Sequence, residues 1–385
     1  MSINNWPGAF TPLYSTMYAD IAVLGDIDLD GQLDLVGRQN DYELRWWPAL
    51  NGQMDTIGDL ANYSEWLEVF DLDQDGDSDV VSFSSGHVNF FLNDTANGFA
   101  PGLSITCPTF YSKKTNIVDL DGDGLPDIVL FMTSDSLAII RNLGNGNFDP
   151  PVNIFNMNGM TPGFFADINN DGRADLVTDG AWWYAGLPAL QFGPARGIVF
   201  TNGHDGTVSW GDMDSDGDID IIQNGLWLEQ TAPAVLDLVH TTNMNAINTA
   251  PADLNGNGQL DCYTFWVDGN NSELVQYMHA DEGAWPGTQI IAGYGERSEV
   301  LTWDPDGDGD VDLLQCIFGN GVRGFRNDGQ GAFSVVDLVG NDAAQAFRPA
   351  IADFDGDGDA DFAAIGGGYL LVYSNGGNWG FSTTT

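Results

Sequence analysis

The sequence predicts an all-β protein, a β-propeller of eight four-stranded blades with seven as the alternative count, and three observations predict it. A nine-residue acidic motif recurs eight times at steps of 41 to 51 residues, starting at Asp26, Asp71, Asp119, Asp167, Asp212, Asp253, Asp304 and Asp353. Each copy is entered and left by short apolar or alternating runs, as in Ile21 to Ile27 and in Asp127-Ile128-Val129-Leu130-Phe131. The composition is rich in turns and poor in helix formers: 49 Gly in 385 residues, with 48 Asp against only 8 Glu. Asp competes for backbone hydrogen bonds and favours turns over helix interiors. A period of 40 to 50 residues holding four strands is that of a propeller blade, whereas helix-pair solenoids of similar period need a 3.6-residue apolar spacing that is absent here.

The elements of a unit follow in order. A first strand leads into the acidic loop and a second leaves it. A third ends in a large apolar residue, with Trp47, Phe91, Ile140, Tyr184, Trp227, Tyr277, Phe325 and Tyr373 in roughly equivalent places. Such recurring side chains are expected to plug the space between blades, Trp47, Trp227 and Tyr373 among them. A fourth strand follows a turn carrying Phe, as in Gly98-Phe99-Ala100-Pro101 and Asn147-Phe148-Asp149-Pro150. The segment Gly8 to Tyr14 reads as a turn and fourth strand without the preceding three, and the eighth unit runs out at Gly380-Phe381-Ser382. The N-terminal strand is therefore expected to complete the last blade, closing a single domain over 1–385 and removing exposed sheet edges.

The loop places acidic or amide side chains at positions 1, 3, 5 and 9 and Gly at position 6. Alternating carboxylates in a tight turn direct several oxygens at one centre, and a carbonyl near position 7 completes the shell. Irregular, charged oxygen donors suit Ca²⁺ better than Mg²⁺, and the scattered His and Cys make no zinc cluster. The candidate ligands are Asp26, Asp28, Asp30 and Asp34; Asp71, Asp73, Asp75 and Asp79; Asp119, Asp121, Asp123 and Asp127; and Asp167, Asn169, Asp171 and Asp175. The second half of the chain supplies Asp212, Asp214, Asp216 and Asp220; Asp253, Asn255, Asn257 and Asp261; Asp304, Asp306, Asp308 and Asp312; and Asp353, Asp355, Asp357 and Asp361. The sixth loop, with two amides, is expected to be the weakest. Turn formation alone needs one Asp, not three or four.

A formal net charge of −45 excludes phosphate-neutralising nucleic-acid binding and attachment to anionic membranes, and no apolar run is long enough to span a bilayer. The loops hold 33 of the 56 acidic residues, so up to eight Ca²⁺ would relieve much of the self-repulsion and make folding depend on the ion. Loops without a closing Glu are expected to bind at about 10⁻⁴ to 10⁻³ M, which points to an extracellular or cell-surface setting. Met1 to Phe10 lacks the features of a secretory signal. Cys107, Cys262 and Cys316 are expected to be buried free thiols.

The DxDxDGxxD loop after an apolar strand, with a downstream NxGxGFxxP turn, resembles the FG-GAP or VCBS repeat family, which includes the integrin α-subunit propeller, a Psathyrella mushroom lectin and many secreted bacterial proteins. Asp119 to Asp127 and Asp353 to Asp361 match its calcium loop at every ligand position, while the turn is degenerate, as in Phe192-Gly193-Pro194. The resemblance implies structural calcium and ligand binding at blade tops or between blades.

The residues fit a non-catalytic, lectin-like or adhesion module whose partners are glycans or glycoproteins. Trp46-Trp47 and Trp182-Trp183-Tyr184 put neighbouring aromatics on opposite faces of a third strand, and Trp285 and Trp379 lie in Gly-rich turns. Trp46, Trp182, Trp285 and Trp379 are the candidate sugar-stacking residues. A protein-interaction scaffold and a polysaccharide lyase are the alternatives. The lyase needs a base and a cation at the sugar carboxylate, whereas His87, His204, His240 and His279 share no spacing and only nine Arg are available.

Overall fold

The structure, a computed structural model, describes residues 22–382 apart from short stretches chiefly between strands, the longest being 49–53, 198–207, 242–247, 278–286, 293–297 and 340–346. Eight four-stranded antiparallel sheets form the ring of a β-propeller. Blade one comprises Ala22–Gly25, Asp34–Gln39, Glu43–Trp47 and Asp55–Asp59, and blade three comprises Asn116–Val118, Asp127–Met132, Ser136–Ile140 and Val152–Asn156. Blade four adds a two-stranded hairpin, Gly186–Leu187 with Gln191–Phe192, before its fourth strand Arg196–Gly197. In the last blade Phe381–Ser382 pairs with the third strand, Tyr369–Asn375. The N-terminal segment expected to complete that blade lies outside the described residues.

First strands of neighbouring blades run side by side, Ala22–Gly25 by Trp66–Phe70, Val208–Gly211 by Asn248–Ala252, and Ser298–Trp303 by Phe347–Ala352. They form the hub, and fourth strands form the rim. Because successive strands alternate direction, every first-to-second connection leaves by the same face as every third-to-fourth turn. The eight acidic loops are all first-to-second connections, so they share one face with the Phe-bearing turns.

The core is divided among the junctions between blades. Ile27, Val36 and Leu44 of blade one meet Leu67, Val80 and Phe91 of blade two, and comparable clusters fill the other junctions through to Trp303, Leu314 and Val322 of blade seven against Phe362 and Tyr373 of blade eight. At about 25 cal/mol per Å² of apolar surface buried, these contacts are what hold one sheet to the next.

Strand register corrects one assignment. The plug is the residue paired with the first apolar residue of the second strand, as in Val80 with Phe91, Ile128 with Ile140, Leu313 with Phe325 and Phe362 with Tyr373. In blade five Ile221 pairs with Leu228, so Leu228 is the plug and packs against blade four. Trp227 faces the other way and is buried against Cys262 and Val275 of blade six. A one-residue offset in a strand reverses the face. Cys107 and Cys262 are buried free thiols, with burial pushing the Cys107 thiol up to about 11; the side chain of Cys316 lies outside the described residues.

Candidate functional site

Each acidic loop is built by its own side chains. Position 2 is apolar and buried in the described loops, as Ile27, Leu72, Leu120, Ile168, Met213 and Leu254, which anchors the turn. The Gly at position 6 has φ between +83° and +97° in all eight loops, a region L side chains avoid. Its N–H donates to the position-1 carboxylate at 2.7 to 3.2 Å throughout. Position 4 is also left-handed, and there Leu29, Gln74, Asn170 and Ser215 adopt φ of 56° to 65° without being Gly.

Position 9 has a second task. Asp34, Asp79, Asp127, Asp175, Asp220, Asp261, Asp312 and Asp361 are all buried. One oxygen accepts the position-2 N–H, as from Leu72 to Asp79 at 2.8 Å and from Met213 to Asp220 at 3.0 Å. The other accepts the N–H two residues beyond the plug, as from Asn93 to Asp79 and from Asn142 to Asp127 at 2.8 and 2.9 Å. This carboxylate fastens the loop to the end of the third strand. Burial raises Asp79 and Asp312 to about 7 and Asp127 and Asp220 to about 6, against the opposing pull of those N–H groups. Burial and then a neighbouring carboxylate also raise Asp28, Asp73 and Asp214 at position 3.

The carboxylates converge. Oxygens of Asp26, Asp28 and Asp34 lie within 4.8 Å of one another, as do those of Asp71, Asp73 and Asp79; of Asp119, Asp121 and Asp127; of Asp212, Asp214 and Asp216; and of Asp304, Asp306 and Asp308. Asp71 Oδ1, Asp73 Oδ1, Asn169 Oδ1 and Asp304 Oδ1 are buried without a hydrogen-bond partner, an arrangement that costs free energy unless a cation satisfies it. The donor set therefore fits a hard divalent ion, and several of these groups could hold one. Asp167, Asn169, Asp171 and Asp175 form the fourth loop and Asp253, Asn255, Asn257 and Asp261 the sixth, each closed by the same backbone bonds. In the eighth, Asp353 and Asp357 are joined by a backbone bond at 3.2 Å and Asp361 is buried, while Asp355 lies outside the described residues.

Sequence reasoning missed the residue that ties the loops together. The Asn two places beyond the plug, which opens the Phe-bearing turn in four blades, donates its side-chain N–H to the position-2 carbonyl of the preceding blade's loop. Asn93 reaches Ile27 at 2.8 Å, Asn142 reaches Leu72 at 2.6 Å, Asn327 reaches Leu254 at 2.7 Å, and Asn375 reaches Pro305. The signal was the Asn of the turn, read only as turn chemistry. Neighbouring loops also touch directly, Gln74 Nε2 donating to the Gly124 carbonyl at 2.6 Å and Ser215 Oγ to that of Gly258 at 3.3 Å.

The candidate aromatics fare differently. Trp182 is 39% exposed beside its buried neighbour Trp183, whose indole N–H donates to Asp175 at 3.1 Å. Trp46 is half-buried and packs on the cluster between blades one and two. Trp285 and Trp379 lie outside the described residues. Trp210, unselected from sequence, is 47% exposed on the first strand of blade five and stacks on Phe164 of blade four, ring centroids 5.8 Å apart. Strand parity alone did not reveal which face of a hub strand that indole would take. His87 is half-buried at the start of a third strand and His240 lies in the strand Val235–Thr241, while His204 and His279 lie outside the described residues.

Residues 119–178 and 304–364 match the FG-GAP-like repeat family, so loops three, four, seven and eight lie in recognised repeats. No curated protein matches the chain. Among solved structures, the chain is similar to an Agrocybe aegerita lectin described as specifically recognising non-reducing terminal N-acetylglucosamine, at 20% identity over 80% of this chain and 89% of that one, with a TM-score of 0.56. It is similar to the V. cholerae biofilm matrix protein Bap1, at 12% identity over 95% and 89% with a TM-score of 0.55, and to the BP39L lectin of Burkholderia pseudomallei, at 12% over 94% and 98% with a TM-score of 0.51. At these identities the likeness is one of fold. Among the described residues no helix is long and apolar enough to cross a membrane.

Proposed function

We propose that the protein is a non-catalytic carbohydrate-binding or adhesion propeller, stabilised by calcium and working outside the cell. The observation that carries the reading is the presentation of Trp182 and Trp210, two exposed indoles, one on the third strand of blade four and the other on the first strand of blade five. An aromatic face fixed on a rigid strand stacks on the C–H surface of a sugar with little entropy left to lose, and the polar loops around such a ring supply hydrogen bonds. The fold neighbours named as lectins and as a biofilm matrix protein support this use of the architecture. A ring of similar blades also favours several weak sites acting together.

Calcium, when bound, would supply positive charge that screens the loop carboxylates from each other. The residues that would hold it are the position 1, 3 and 5 side chains with the ninth Asp, and the same ninth Asp couples each loop to its blade. Oxygen donors of this number and irregularity favour Ca²⁺, and the expected affinity favours a millimolar-calcium setting. The test is a glycan array with and without EDTA, repeated with Trp182→Ala and Trp210→Ala. Each substitution is expected to weaken sugar binding about tenfold in a protein that remains folded with calcium, Trp210→Ala lowering the melting temperature by the loss of its stacking on Phe164. Absence of any glycan signal, or a rise in 235 nm absorbance with uronate polymers, overturns the reading.

A further inference from the structure

Among the described residues, two loops have a guanidinium that meets both their third and fifth positions. Arg141 Nε donates to Asp121 Oδ2 at 2.7 Å, its Nη2 pairs with the same oxygen, and Asp123 Oδ2 lies 4.0 Å away. Arg326 Nη2 repeats this in blade seven, 2.7 Å from Asp306 Oδ2 and 3.7 Å from Asp308 Oδ2. In both, one guanidinium engages the third and fifth positions of its own loop. The two third-position carboxylates are buried to 12% and 1% exposure, where an ion pair is less screened than on the open surface.

The placement is built. Each Arg immediately follows the plug and precedes the Asn that grips the preceding loop, in Arg141-Asn142 and Arg326-Asn327. The backbone N–H of that Asn is held by the ninth Asp, Asp127 or Asp312, so the Arg leaves from a fixed point beside the carboxylates it meets. At the equivalent place the other blades have Pro48, Leu92, Ala185, Glu229, Met278 and Ser374, none of them basic. Arg173, inside loop four, pairs with the fifth-position Asp171 at 3.2 Å and donates its Nε–H to the Gly186 carbonyl at 3.4 Å. Loop two has Leu92 at that place, and Asp71 Oδ1 and Asp73 Oδ1 are buried without a hydrogen-bond partner, as Asp304 Oδ1 is in loop seven but no oxygen of Asp119 or Asp121 is in loop three.

We propose that Arg141 and Arg326 are tethered counter-cations that keep loops three and seven closed without a divalent ion, and that make these two the loops from which an added ion must displace a charge. Blades three and seven stand opposite each other in a ring of eight, so two facing blades stay pinned in low calcium while loops such as the second open. The inference rests on the loops being cation sites and is independent of the sugar reading.

The experiment compares wild type with Arg141→Gln/Arg326→Gln, using limited proteolysis with mass mapping in EDTA, melting in EDTA and in calcium, and calcium titration calorimetry. In wild type, cleavage within 119–127 and 304–312 is expected to be several-fold slower than within 71–79. In the variant that protection disappears, the EDTA melting temperature falls while the calcium-loaded one holds, and two sites tighten about fivefold, the gain from removing a competing ion pair. Equal cleavage of loops two, three and seven in wild type overturns the proposal, and so does an unchanged calcium isotherm in a folded variant. If the variant does not fold in EDTA, the wild-type cleavage map decides alone. A protein that binds no calcium by calorimetry removes the premise that the loops are cation sites, and that outcome is distinguishable from failure of the Arg role.

Discussion

The ninth carboxylate of each loop is both a candidate ligand and an internal acceptor for two backbone N–H groups. Asp127→Ala would leave the N–H groups of Leu120 and Asn142 buried and unpaired, and is expected to cost about 2–4 kcal/mol by denaturant melts, even in EDTA where no ion is lost. Acidity at the same positions sets a pH dependence. Asp79, Asp127, Asp220 and Asp312 are raised from 3.8 to about 6 or 7 in the folded chain, so the fold holds their protons more tightly than the unfolded chain does. The stability this contributes is fully present below about pH 4 and is lost as pH rises through 6 to 7. Melting temperatures in EDTA are therefore expected to fall between pH 5 and 7.5, whereas calcium affinity rises over the same range because the ion needs ionised carboxylates. The alternation of Asp made these ligands legible from sequence, but the burial that gives the ninth Asp its double role was not, since nothing in DxDxDGxxD distinguishes an outward from an inward carboxylate.

At the scale of the element, the loop and the Phe-bearing turn that opens with Asn act as one unit across two blades. Asn142 donates to Leu72 and to Pro126 and accepts from the Gly144 N–H, so Asn142→Ala is expected to cost about 1–3 kcal/mol by chemical denaturation. Asn142→Asp should cost more, because it sets a buried carboxylate against two carbonyls. Leu29 sits exposed in the left-handed region at φ 57°, and Leu29→Asn, which tolerates that region, is expected to stabilise by about 0.5–1 kcal/mol in the same assay. The strands themselves were readable from apolar runs and period. The plug of blade five was not, because Ile221 pairs with Leu228 and Ile222 with Trp227, and only hydrogen-bond register shows that offset. Clamp bonds join blades one to three and blades six to eight, a division that depends on which turns begin with Asn.

Across the whole molecule, 33 of 56 acidic residues share one face of the ring, and eight divalent ions would change the net charge from −45 to −29. With calcium at ten times the dissociation constant, each site contributes about 1.4 kcal/mol and eight contribute about 11 kcal/mol, so a scanning-calorimetry melt in calcium is expected to exceed that in EDTA by many degrees. Equal melts would show that the loops hold no ion in the folded chain. The sequence by itself determined the period, the all-β class, the propeller and the residue types at each loop, because a repeated motif and local turn chemistry are written along the chain, while the sheets of the structure settle eight blades over seven. Only the tertiary structure decided which carboxylates are buried, which Trp stays exposed, and that the Asn or Arg side chain of one turn reaches a loop up to 73 residues away. Those contacts depend on how neighbouring sheets pack, and packing brings together groups whose separation along the chain carries no signal of their meeting.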